Sequence, residues 1–257
     1  MRWRRARPPI DADEFDWLLA CFAWLLRKLD PDEPFRQSEV FLPASEDRPI
    51  RDHDDAEALF VDIRRTLGMS DWPCRLVPQE RRNERYLGGT KILQSESNAP
   101  LGTFGLEGDA PVITYDPDLL RSRSAMTATL VHELAHYLLD GLDDPPGGAD
   151  LSEHATDAAG VYLGFGVYLA NAAFNFGQFS DGEIQGWERR ATGYLSELAL
   201  ITATAICVHC TNADVAPIRT ALKPYLRGPF DRALAAVRDA LPEKVESLRS
   251  IDLSEWR

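Results

Sequence analysis

The segment Thr129-Leu-Val-His-Glu-Leu-Ala-His-Tyr-Leu138 constrains this 257-residue chain more than any other stretch. Apart from His132, Glu133 and His136, every residue in it is uncharged. Its composition suits a helix running from near Ser124 to Gly141, where glycine supplies a left-handed stop. A helix that is apolar around most of its circumference must be enclosed by the rest of the fold. At about 100° per residue, His132 and His136 lie one turn apart on the same face, so both imidazoles can reach one ion. Glu133 is rotated away from them, outside the contact shell of such an ion but beside it. From there it can take a proton from a water that the ion holds. Without an ion, a buried His-Glu-His cluster would carry a poorly compensated carboxylate.

A catalytic zinc takes three protein ligands and keeps one position open, so a third ligand must come from elsewhere in the chain. Glu153 is the leading candidate, near the start of a second helix that carries Asp157 one turn further on. His154 is adjacent to it and remains an alternative third ligand, because imidazole suits zinc at least as well as a carboxylate does. The intervening loop, 143 to 149, is rich in Asp, Pro and Gly. It is short enough to fold the second helix back antiparallel to the first.

The pattern His132-Glu133-x-x-His136 followed by Glu153-x-x-x-Asp157 resembles the gluzincin metallopeptidases, the thermolysin-like clan. The resemblance implies that His132, His136 and Glu153 bind Zn2+, that Glu133 is the general base, and that Asp157 orients His132. Carboxylate support of this kind is also what a ligating histidine requires physically. The likeness covers roughly residues 129 to 157. Sixteen residues separate His136 from Glu153, slightly fewer than the clan's usual gap, and Ser152 stands where asparagine is often found. The metzincin pattern does not fit, since it needs Gly and His where this chain has Leu139 and Leu142. The chain also resembles uncharacterised bacterial zincin-like proteins. The expected activity is zinc-dependent hydrolysis of a peptide or protein substrate. The alternative is a zinc-binding regulatory or interaction protein that keeps the zincin scaffold and cuts one partner or none.

Elsewhere the pattern predicts helices over 15 to 29, stopped by Pro31, and over 54 to 67, with Asp54 and Asp55 in the first turn and Gly68 after the end. Short β-like runs follow at 74 to 77, 91 to 93, 101 to 106 and 111 to 115. Glu107-Gly108-Asp109 should reverse the last two into an antiparallel hairpin. The chain is helical after Asp116-Pro117. The fold class is therefore α+β, a small mixed or antiparallel sheet followed by a mainly helical zincin-like half. Three regions are expected: a helical region over 1–70 packed on the core, a zincin-like metal-binding core over 71–210, and C-terminal helices over 211–257.

Residues 160 to 174 should continue the Glu153 helix. Three glycines within a helix cost about 1 kcal/mol each relative to alanine, which predicts close packing there, against the site helix. The strand 101 to 106, bare at Gly102 and Gly105, is either a plain hairpin arm or an edge that accepts an extended substrate by strand addition. Tyr115, Tyr162 and Tyr194 are candidates to stabilise an oxyanion, and the sequence offers no choice among them.

A net charge of −13 and a pI near 4.8 speak against nucleic acid as a partner, because phosphate contacts need a basic footprint. The one basic cluster, Arg2, Arg4, Arg5 and Arg7, reads as a solvated tail. The apolar run 17 to 26 is roughly half of what a bilayer span requires, so no membrane is expected. Asp11, Asp13, Glu14 and Asp16 stand where a signal peptide would need its apolar core. Four scattered cysteines fit a reducing cytoplasm, and the pair Cys207 and Cys210 reads as part of an interior helix.

Overall fold

Capping side chains set where the helices begin. In the computed structural model, Asp11 accepts the Glu14 N–H to open α1 (Ala12–Leu29), and Asp52 accepts the Asp55 N–H to open α2 (His53–Thr66). Both helices carry acids in the first turn and bases in the last, which complements the helix dipole. The structure describes residues 6–32, 35, 39–46, 48–80, 86–87, 90–91, 101–108, 110–177 and 194–256, with backbone alone at 86–87, 90–91 and 174–177. Residues 92 and 93 of the expected second strand, Asp109 of the hairpin turn, and Arg2, Arg4 and Arg5 lie outside these residues.

The strands are β1 (Arg75–Pro78), β2 (Tyr86–Leu87), β3 (Thr90–Lys91), β4 (Gly102–Glu107) and β5 (Ala110–Tyr115). β4 and β5 form the expected antiparallel hairpin, with Gly102 opposite Tyr115 and Glu107 opposite Ala110. β1 joins the other side of β5 in parallel, so the sheet is mixed, in the order β1-β5-β4. β2 and β3 pair separately. The fold is α+β with a mainly helical second half, as the pattern predicts.

The site helix, α3 (Arg123–Leu139), opens on Ser122, which accepts the Ala125 N–H. It lies between two apolar clusters. Ala128 and Ala135 face one, while Met126, Leu130, Val131 and Leu134 face the other. Burial on both sides is the physical reason its sequence lacks a charged face.

After α3 come α4 (Ser152–Gly160), α5 (Gly166–Gly177), α6 (Glu197–Thr211), α7 (Val215–Ala221), α8 (Arg227–Ala240) and α9 (Val245–Arg249). α1 packs against α4, α6 and α9. It also fixes the loop between α3 and α4: Trp17, fully buried, donates its indole N–H to Pro146 O at 2.8 Å, and Lys28 pairs with Asp143 at 2.6 Å. From the other end of the chain, Trp256 O accepts the Gly147 N–H at 2.8 Å. Both termini therefore brace the loop that sets α4 against α3. Among the described residues, no helix is long and apolar enough to cross a membrane.

The expected unbroken helix beyond Glu153 is corrected. α4 and α5 are separated by a wide turn over Val161–Phe165, in which Gly164 has φ +95°. A Cβ on Gly164 would collide with Glu39 O, and Gly164 O accepts the Phe41 N–H at 2.9 Å, so the segment near Phe41 docks into the break. Only glycine combines that backbone with that approach. The close packing divides between partners: Gly160 meets Val131 of the site helix, and Gly166 meets Thr204 of α6. Gly164→Ala is expected to destabilise the fold by at least about 1–3 kcal/mol in chemical denaturation. An unchanged midpoint would mean the break has room for a side chain.

Candidate metal centre

The buried middle of α3 presents His132, Glu133 and His136, and the start of α4 presents Glu153, Thr156 and Asp157. His136, later in α3, meets Thr156 and Glu153, while His132 meets Asp157, later in α4. That order of contacts is the one two antiparallel helices make.

The Nε2 atoms of His132 and His136 lie 3.1 Å apart, and each is 3.3 Å from the same carboxylate oxygen of Glu153. The remaining hydrogen bonds decide which way the lone pairs face. Asp157 Oδ1 accepts from His132 Nδ1 at 2.9 Å, while its other oxygen accepts the Leu195 N–H at 2.7 Å. Thr156 donates its one hydroxyl hydrogen to Ser152 O at 2.9 Å, so at 3.3 Å it accepts from His136 Nδ1. Both rings thus carry hydrogen on Nδ1 and turn Nε2 toward Glu153.

Three electron-pair donors that converge this closely need positive charge among them. A proton supplies one form of it. Burial opposes charging His132, but hydrogen bonds to Asp157 and Glu153 and the charges of Asp157 and Glu133 outweigh it, raising the pKa to about 10. Reciprocally, hydrogen bonds from His132 and His136 hold the Glu153 carboxyl well below the usual carboxylate range. A metal ion supplies the other form. Ligand bonds near 2.05 Å in a tetrahedron place ligand atoms about 3.3–3.4 Å apart, close to the triangle formed here. His132, His136 and Glu153 could hold one ion between them.

Glu133 is buried, 4% exposed, beneath strand β4. Burial raises its pKa, against the charges of His132 and His136, and it also accepts the Phe104 N–H. A Cβ on Gly102 would lie 3.0 Å from Glu133 Oε1 and 2.7 Å from Thr129 Cγ2, so the bareness of β4 lets the strand lie directly on this carboxylate.

His154 is not part of the triangle. It is buried and packs edge-on against Trp17, ring centroids 5.9 Å apart, and burial lowers its pKa. Of the three tyrosines, Tyr115 is bonded to His53 Nδ1 at 3.0 Å and Tyr162 to Asp30 at 3.0 Å. Tyr194 alone of the three stands at the cluster, its ring 4.8 Å from that of His132. Burial and the charges of Glu133, Glu153 and Asp157 raise its pKa, so its hydroxyl stays protonated. Cys207 and Cys210 are buried in α6, where burial pushes both thiols up to about 12.

Three contributors escape the sequence reading. Thr156 had a signal, since it lies three residues past Glu153 and so on nearly the same helix face. The Leu195 and Phe104 N–H groups had none, because any residue carries a backbone donor. Compared with protein families, curated proteins and solved structures, the chain matches none.

Proposed function

We propose that the chain is a zinc-dependent metallopeptidase of the gluzincin type, acting in the cytoplasm on peptide or protein substrates. The reading rests on one observation above all: two imidazole nitrogens and a carboxylate oxygen converge with near-tetrahedral edges beside a buried, separate carboxylate. Two nitrogens and one oxygen are a donor set that suits zinc. His132, His136 and Glu153 would hold it. When bound, zinc supplies a Lewis acid that lowers the pKa of water and polarises a carbonyl.

The rest of the chemistry belongs to the chain. Glu133 takes the proton of the attacking water and returns it to the departing amine, and a pKa raised by burial brings it nearer the working pH of a general base. Tyr194, kept neutral, donates toward the developing oxyanion. Asp157 fixes the tautomer and orientation of His132. β4, at the edge of its sheet, offers main-chain groups along which an extended peptide can add as a strand.

Elemental analysis of the purified protein tests the metal. One zinc per chain is expected, lost in His132→Ala, strongly reduced in Glu153→Ala and retained in His154→Ala. If His154→Ala loses the zinc and Glu153→Ala keeps it, the ligand set is wrong. A broad peptide-library screen then separates a peptidase from a zinc-binding regulatory protein, because cleavage of many sequences excludes the latter.

A further inference from the structure

Away from the metal centre, a cavity of about 320 Å³ opens between the end of α6, the start of α7 and the connection from α8 to α9. Its polar lining consists of Arg238, Lys244, His209 and Asn212, and no acid lines it among the described residues. In a chain with 41 acidic residues against 28 basic ones, two cations meeting in one cavity without a carboxylate run against the composition. We infer that this cavity is a binding site for a small organic anion, a carboxylate or phosphate head on a short apolar body.

The surrounding groups support an anion in particular. The Arg238 guanidinium, on an exposed residue, forms no hydrogen bond or ion pair with another described residue. Lys244 Nζ donates to Asn212 Oδ1, which places the ammonium at the cavity wall. His209 is held in place by its Nε2–H, donated to Leu241 O at 2.8 Å. At the end of α6, the Val208 carbonyl accepts the N–H groups of Asn212 and Ala213. Val208, Val215 and Leu234 supply the apolar wall for the body of the ligand. A volume near the lower limit for ligand pockets leaves space beyond a bare oxyanion.

The backbone at Lys244 is the second, independent observation. Its φ of +54° and ψ of −114° define a conformation that glycine takes freely and a lysine takes under strain. A lysine side chain standing where glycine would be less strained points to a task for that side chain.

The test is titration of the 257-residue chain with butyrate and with butyl phosphate, followed by backbone amide shifts, with neutral butyramide as the control. Saturable shifts confined to 208–215 and 234–244 are expected with at least one anion, and the preferred head group distinguishes carboxylate from phosphate. Arg238→Gln should weaken binding by about tenfold or more, the usual worth of a charge-assisted hydrogen bond. Lys244→Gly should weaken binding while raising the melting temperature, and these opposite signs cannot both come from misfolding. Absence of saturable shifts with either anion, binding of butyramide as tight as that of the anions, or unchanged affinity in both variants would overturn the site.

Discussion

Replacing Glu133 by glutamine should leave one zinc bound per chain and lower peptide turnover by about 100- to 10,000-fold, the range general acid–base catalysis supplies. Glutamine is the informative choice because it keeps the shape of the side chain and can still accept the Phe104 N–H. Alanine would instead open a hole beneath Gly102, where even an added Cβ would crowd this side chain, and would mix a packing defect with the chemical one. The amide cannot take a proton from water at neutral pH. Zinc content and turnover are measured on the same preparation, with a peptide that the unmodified protein cleaves. Retention of full turnover would end the mechanism while leaving the metal centre untouched.

Asp157→Asn should lower zinc affinity by about 10- to 100-fold, the usual effect of removing a carboxylate that orients a ligating histidine. The reason lies in its two partners. One carboxylate oxygen accepts from His132 Nδ1 and the other from the Leu195 N–H. Asparagine has a single acceptor oxygen, so its amide N–H must face one of these donors. Leaving that buried group unsatisfied is expected to cost about 1–3 kcal/mol of stability as well. Competition with a chromophoric chelator reads the affinity, and urea unfolding in excess chelator reads the stability without the metal. If both quantities match the unmodified protein, Asp157 does not support His132.

How far each feature could be read in advance depends on the range of the interaction that creates it. Caps and turns are local. Ser122, Asp52 and Gly108 act on atoms a few residues away, so α2, α3 and the β4–β5 hairpin are close to where their sequences place them. The break at Gly164 is not local. The carbonyl of Glu39, over a hundred residues earlier, occupies the space a side chain at 164 would need, and the Gly164 carbonyl accepts the Phe41 N–H. Glycine spacing announced a close approach against the site helix, which Gly160 makes at Val131, whereas Gly164 is approached by Glu39 and Phe41 instead.

The same division runs through the candidate metal centre. Helical periodicity alone sets His132 and His136 on one face and Glu133 beside them, because α3 is a rigid local object. The sequence by itself thus determined the pair of imidazoles, the neighbouring carboxylate and the α+β class. Glu153 and His154 are neighbours in the chain, and no local rule decides which of them faces the histidines. Tertiary packing decided it. Trp17 of α1 takes the edge of the His154 ring, and the braced loop between α3 and α4 turns Glu153 toward the histidines at 3.3 Å. Tyr194 and the Leu195 N–H likewise join the centre only through folding, since contacts between distant segments depend on how whole helices pack and not on the spacing of the residues that make them.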